Sequence, residues 1–144
     1  MHIAIDSPDI HFAMLGDRRN GVERLSLIGA LDRSTVGVLE QEVEELAHPD
    51  GAVVLDLYNI HAVDLDAVRV LESMAQRAAA GGWLLFLVHA QTSVRDAFER
   101  VGCARLLSGD VSDALSSGDG DWAPISLPPQ RVNGNRFRVV ERQP

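Results

Sequence analysis

The chain has 144 residues, 13 Lys+Arg, 21 Asp+Glu and a formal net charge of −8, and every one of its basic residues is arginine. This length suits a single domain able to bury a real core without disulfides or metals. The lone cysteine, Cys103, excludes an internal disulfide. The acidic balance argues against nucleic acid or anionic lipid as partners, and the longest strongly apolar run, residues 83–88, is too short to span a bilayer.

The first residues, Met1 to Asp6, lack the charged and apolar regions of a signal peptide, so a cytoplasmic protein is the expectation. Residues 10–15 are apolar and bounded by Gly16-Asp17 and Asn20-Gly21, which predicts a strand and a turn. Residues 23–31 alternate through Leu25, Leu27 and Gly29, a second strand pairing antiparallel with the first. Ser34 or Thr35 can cap a helix whose stripe is Val36, Leu39, Val43 and Leu46. His48-Pro49-Asp50-Gly51 ends it.

Residues 52–57 form a continuous apolar run with β-branched residues, the mark of a strand buried on both faces. Tyr58 to Val63 reads as a short connection. A helix follows over about Asp66 to Ala80, with Ala67, Val70, Leu71, Met74 and Ala78 on one face and Gly81-Gly82 as its stop. Trp83 to Val88 is the next buried strand. Thr92 or Ser93 caps a third helix, and Leu106-Leu107 and residues 110–115 suggest a last short strand and a last helical turn or two. Strand–helix alternation implies parallel pairing, so the predicted fold is α/β: a mixed, mostly parallel sheet with an antiparallel edge hairpin and about four helices.

Composition changes after Ser116. Residues 118–144 hold Pro124, Pro128 and Pro129, and their arginines outnumber their acids. The expected division is therefore a domain over 1–117 and an extension over 118–144. That extension is either a frayed tail or a short hairpin, Arg131-Val132 against Phe137–Val140, packing back or adding to a sheet edge. Eighteen of the 21 acids but nine of the 13 arginines precede residue 118, so the negative charge belongs to the domain.

The informative stretch is Val54 to Val68, where a buried strand leads through a loop into a helix with Asp64 and Asp66 at its start. Carboxylates there accept bonds from free backbone N–H groups and meet the positive end of the helix dipole. Capping alone would account for both residues.

The ordered set Gly29-Ala30-Leu31-Asp32, the Thr35-led helix, Val54-Leu55-Asp56-Leu57, Val63-Asp64-x-x-x-Val68-x-x-Leu71 and Gly81-Gly82 resembles the STAS family of bacterial anti-sigma-factor antagonists over most of residues 10–117. The resemblance implies a signature Asp-Ser-Ser-Gly-Leu at this helix start, whose second Ser is phosphorylated by a kinase-type anti-sigma factor. Unmodified antagonist binds that factor; phosphorylation breaks the complex. Here the segment reads Asp64-Leu65-Asp66-Ala67-Val68. Asp64 matches the family Asp, Leu65 replaces the first Ser, and Asp66 stands at the phosphoacceptor position.

Asp cannot accept a phosphate from a Ser/Thr kinase, and it carries one charge where phosphoserine carries about −1.5 to −2. Three readings stay open: a fixed mimic of the phosphorylated form, a constitutive binder whose partner has adapted, or a simple helix cap. The resemblance implies a non-catalytic interaction module. Its contact surface comprises His61, Asp64, Asp66, Arg69 and Ser73, and its partner is an anti-sigma factor or another protein. No cofactor, nucleic acid or membrane insertion is expected, and a homodimer is open. Rival readings are a STAS subunit of a transporter or sensory complex, and a small-molecule or nucleotide-binding domain.

Other motifs carry less. Asp56, Asp64 and Asp66 could converge on Mg²⁺, although Asp56 also suits a strand-end residue bonding the next loop. The five histidines lack metal-ligand spacing. His61 suits a solvent-facing loop, with Asp64 within reach. Arg100 and Arg105 could lower the Cys103 pKa, although a buried small residue fits Cys103 as well.

Overall fold

The computed structural model describes residues 10–19, 21–108 and 136–141. Strands β1 (Ile10–Arg19) and β2 (Val22–Leu31) form an antiparallel hairpin whose last pair is Arg19 with Val22. Gly21 sits at φ +79°, the left-handed conformation that an Asn-Gly hairpin turn demands. β1 therefore runs on through Gly16-Asp17, where the sequence predicts its end. Opposite charges carry the hairpin past that point: Asp17 faces Arg24, and Arg18 Nε lies 2.8 Å from Glu23 Oε2.

Helix α1 (Arg33–Leu46) starts from a capping box. Asp32 is the N-cap, not Ser34 or Thr35. Its Oδ1 accepts from the Ser34 and Thr35 backbone N–H groups at 2.9 and 3.1 Å, and the Thr35 hydroxyl accepts from the Asp32 N–H at 2.9 Å. Strand β3 covers Ala52–Val63, so Tyr58 to Val63 is strand rather than connection. Two register irregularities against β2 reset its alternation: Leu55 and Leu57 face the core, and so does Ile60.

Helix α2 (Leu65–Gly81) ends in left-handed Gly82 at φ +78°. Strand β4 (Leu84–Val88) is less buried than its apolar run predicts. Leu84 is 53% exposed, and Trp83 lies just before the strand, half-buried. The neighbouring strand β5 (Leu107–Ser108) pairs only with Leu87 and Val88, so the first half of β4 lacks that cover. Helix α3 (Thr92–Arg100) follows Gln91 as N-cap, without a side-chain capping bond from Thr92 or Ser93. A 3-10 turn, Ala104–Leu106, leads into β5. Among the described residues there are three α-helices, and the predicted turn over 110–115 lies outside them.

The sheet has six strands in the order β5-β4-β3-β2-β1-β6, with β6 being Arg136–Glu141. β2 to β5 are parallel to one another, while β1 is antiparallel to both β2 and β6. The hairpin is thus not at the edge, because β6 pairs along the outer side of β1. Arg131-Val132 lies outside the described residues. All three helices pack on one sheet face, against Phe12, Met14, Leu25, Leu27, Leu55 and Leu87. The opposite face carries Val54 and Val88, with Val22 and Phe86 against them.

Candidate functional site

β2 and β3 are parallel neighbours whose last residues, Leu31 and Val63, are register partners. The β2–α1 and β3–α2 junctions therefore lie side by side, at the carboxyl ends of parallel strands, where α/β sheets commonly place their sites.

Asp64 joins the two junctions. Its extended backbone (φ −89°, ψ 166°) makes it the N-cap of α2, and its Oδ1 accepts from the Ala67 N–H at 2.8 Å. Its Oδ2 accepts from the Arg33 backbone N–H at 3.3 Å, and its own N–H donates to the Leu31 carbonyl at 3.0 Å.

Asp66 does not cap α2. It is the second residue of the helix, in the first turn, where a carboxylate still meets the positive dipole end. Its side chain is 55% exposed, and its Oδ2 accepts from Arg33 Nη2 at 2.7 Å. Arg33 itself is 86% exposed. The Asp66 hydrogen bond, its charge and that of nearby Asp64 together raise the guanidinium above its ordinary pKa.

Arg33 is the site residue that sequence reasoning missed. It stands 33 residues before Asp66, and only the parallel pairing of β2 with β3 brings them together. Its one local signal is its place directly after the α1 cap.

Beyond Asp66, Arg69 and Ser73 follow at steps of three and four residues and are exposed, as is Leu65 at 41%. Ala67, Val68 and Leu71 hold the other side of α2 in the core. His61 is exposed on the last stretch of β3 rather than in a loop, and among the described residues no hydrogen bond joins it to Asp64.

Asp56 does not join this carboxylate pair. It lies within β3 and is nearly fully buried, its Oδ2 2.5 Å from Arg24 Nη2. Its Oδ1 accepts from the Tyr58 N–H at 3.0 Å and lies 3.2 Å from His89 Nδ1. His89 adopts φ +62°, an uncommon conformation for a non-glycine residue. Among the described residues, no group of three or more His, Cys, Asp or Glu could hold a metal ion.

Acidic residues of α1 are partly neutralised across the helix pair, where Arg77 of α2 bridges Glu40 and Glu44. Cys103 is buried, and burial followed by the Glu72 charge pushes its thiol pKa up. Arg105 and Arg69 act in the lowering direction and are outweighed; Arg105 is itself paired with Glu72 at 2.9 Å. No helix among the described residues is long and apolar enough to cross a membrane.

Several known proteins share this architecture. An anti-sigma factor antagonist from Mycobacterium paratuberculosis superposes with a TM-score of 0.61 at 19% identity, covering 73% of this chain and 92% of that one. The anti-sigma factor antagonist SpoIIAA, in its unphosphorylated form, gives 0.54 at 16% identity over 70% and 90% of the two chains. The murine anion transporter Slc26a9 gives 0.57 at 17% identity, covering 74% of this chain and 22% of the transporter. At such identities the likeness is one of fold. None of the curated proteins matches the chain. The family model described as "Mlab, STAS domain" matches residues 15–108, and the chain belongs to the STAS domain family.

Proposed function

We propose that this chain is a non-catalytic protein-interaction module of the anti-sigma-factor-antagonist kind, docking through the start of α2. The contact surface is His61, Asp64, Asp66, Arg69 and Ser73, and the partner is a kinase-type anti-sigma factor that brings its own nucleotide. The module works in the cytoplasm, without a cofactor and without nucleic acid. Its domain spans 1–117, and residues 118–144 are an extension that adds strand β6 to the domain's sheet.

One observation carries this reading. The Asp66 carboxylate is exposed on the first turn of α2 while Asp64 performs the capping. Asp66 is thus available to a partner at the position that, by the family resemblance, would hold the phosphoacceptor, and a Ser/Thr kinase has no hydroxyl to phosphorylate there. The module has a fixed state instead of a switch. The test is titration of the anti-sigma factor with Ser73→Trp and Asp66→Ala variants. A bulky ring at Ser73 should abolish binding, and undiminished binding would place the interface elsewhere.

The missing hydroxyl at position 66 also favours a second reading, a constitutive STAS subunit of a transporter. Co-purification with a transporter ATPase or permease, and not with an anti-sigma factor, is its distinguishing result.

A further inference from the structure

We propose that Arg33 is the built-in counter-ion of position 66, so that a partner meets a neutral Arg33–Asp66 pair and the chain is held in its partner-binding state. This rests on the docking surface proposed above and decides which fixed state that surface adopts.

The charge balance is direct. Phosphoserine would place about −1.5 to −2 at this position, bare Asp66 places −1, and Asp66 with Arg33 sums to zero, the value of an unmodified serine. The geometry keeps the counter-ion in place. The Arg33 backbone N–H is held by the Asp64 carboxylate at 3.3 Å, and the Asp64 N–H is held in turn by the Leu31 carbonyl at 3.0 Å. From that anchored position the guanidinium reaches Asp66 Oδ2 at 2.7 Å.

Neither side chain is consumed by the fold. Arg33 is 86% exposed, and the caps of α1 and α2 are Asp32 and Asp64. The pair therefore lies on the surface beside exposed Leu65, where a partner docking on α2 would cover both residues. Covering an unpaired carboxylate would impose a desolvation penalty that covering the pair reduces.

The experiment measures affinity for the kinase-type anti-sigma factor by calorimetry, with wild type, Arg33→Ala, Asp66→Ser, Arg33→Ala/Asp66→Ser and Ser73→Trp. Circular dichroism checks that each variant is folded. Arg33→Ala should weaken binding several-fold, and the loss should shrink as salt is raised. The double variant, neutral again, should return to near wild-type affinity. Wild-type affinity in Arg33→Ala overturns the proposal, as does a loss that persists in the double variant, which would make Arg33 a contact in its own right. Ser73→Trp separates the two levels. If it abolishes binding while Arg33→Ala does nothing, the docking surface stands and the counter-ion proposal falls. If binding survives Ser73→Trp, the docking surface falls and the proposal falls with it.

Discussion

Arg24 Nη2 lies 2.5 Å from Asp56 Oδ2, and both side chains are almost wholly buried between adjacent parallel strands. They occupy the sheet face opposite the helices. Asp56 also accepts from the Tyr58 N–H and touches His89, so its carboxylate organises β2, β3 and the segment after β4. Breaking a buried ion pair by removing one partner costs about 3–5 kcal/mol. Asp56→Ala should therefore destabilise the protein by about that amount in urea unfolding. Replacing Arg24 and Asp56 together by apolar residues of similar volume should cost far less than the two single changes added. Equal costs would mean that the pair is uncoupled.

The two carboxylates at the start of α2 should separate cleanly in the same measurement. Asp64 is the N-cap, and Asp64→Ala should cost about 0.5–2 kcal/mol. It also removes the acceptor of the Arg33 N–H. Asp66 contributes mainly its interaction with the helix dipole and an exposed ion pair, so Asp66→Ala should cost only a few tenths of a kcal/mol. The reverse ranking would reinstate Asp66 as the cap.

That contrast shows what was legible in the chain. Apolar runs such as 52–57 and the stripe Val36, Leu39, Val43 declare their elements, because burial of one face leaves a period in the sequence. Caps are harder to assign: Asp32, Ser34 and Thr35 all have a suitable oxygen, and backbone conformation alone decides among them. Strand extensions are hidden for a different reason. Residues 16–19 and 58–63 are polar enough to pass for turns, and cross-strand partners make them strand. Arg33 is invisible for the same cause, since its partner lies 33 residues away and depends on strand order. The β6–β1 pairing joins residues still farther apart in the chain.

Cys103 offers a test of burial. Its thiol pKa is raised above its ordinary value, first by desolvation and then by Glu72. The thiol should therefore react slowly with Ellman's reagent near neutral pH in the folded protein and rapidly in urea. The linkage has a definite sign. A raised folded pKa means that the native state holds its proton longer than the unfolded chain does. The stability contribution is complete below the unfolded thiol pKa and falls as pH rises from there through the folded value. Cys103→Ala should flatten the alkaline part of the stability–pH curve. Fast native labelling would show that the thiol is exposed, and an intermolecular disulfide would then need no local opening.

Asp66→Ser should turn a fixed module into a switch. The hydroxyl would stand in the first turn of α2, with Asp64 still capping the helix and Arg33 still held by its backbone N–H. Unmodified, the variant carries a neutral hydroxyl beside an Arg33 that has lost its Asp66 partner, a local sum of +1 with no added negative charge, and should retain binding to the anti-sigma factor. Incubated with the kinase-type factor and ATP, it should gain one phosphate at position 66, seen by mass spectrometry, whereas wild type gains none there. The phosphate adds about −1.5 to −2, more than Arg33 can neutralise, so binding should fall on modification. Pairing it with Arg33→Ala should deepen that fall, because the remaining counter-charge is then lost. A variant that is phosphorylated yet keeps full affinity would show that charge at position 66 does not govern docking.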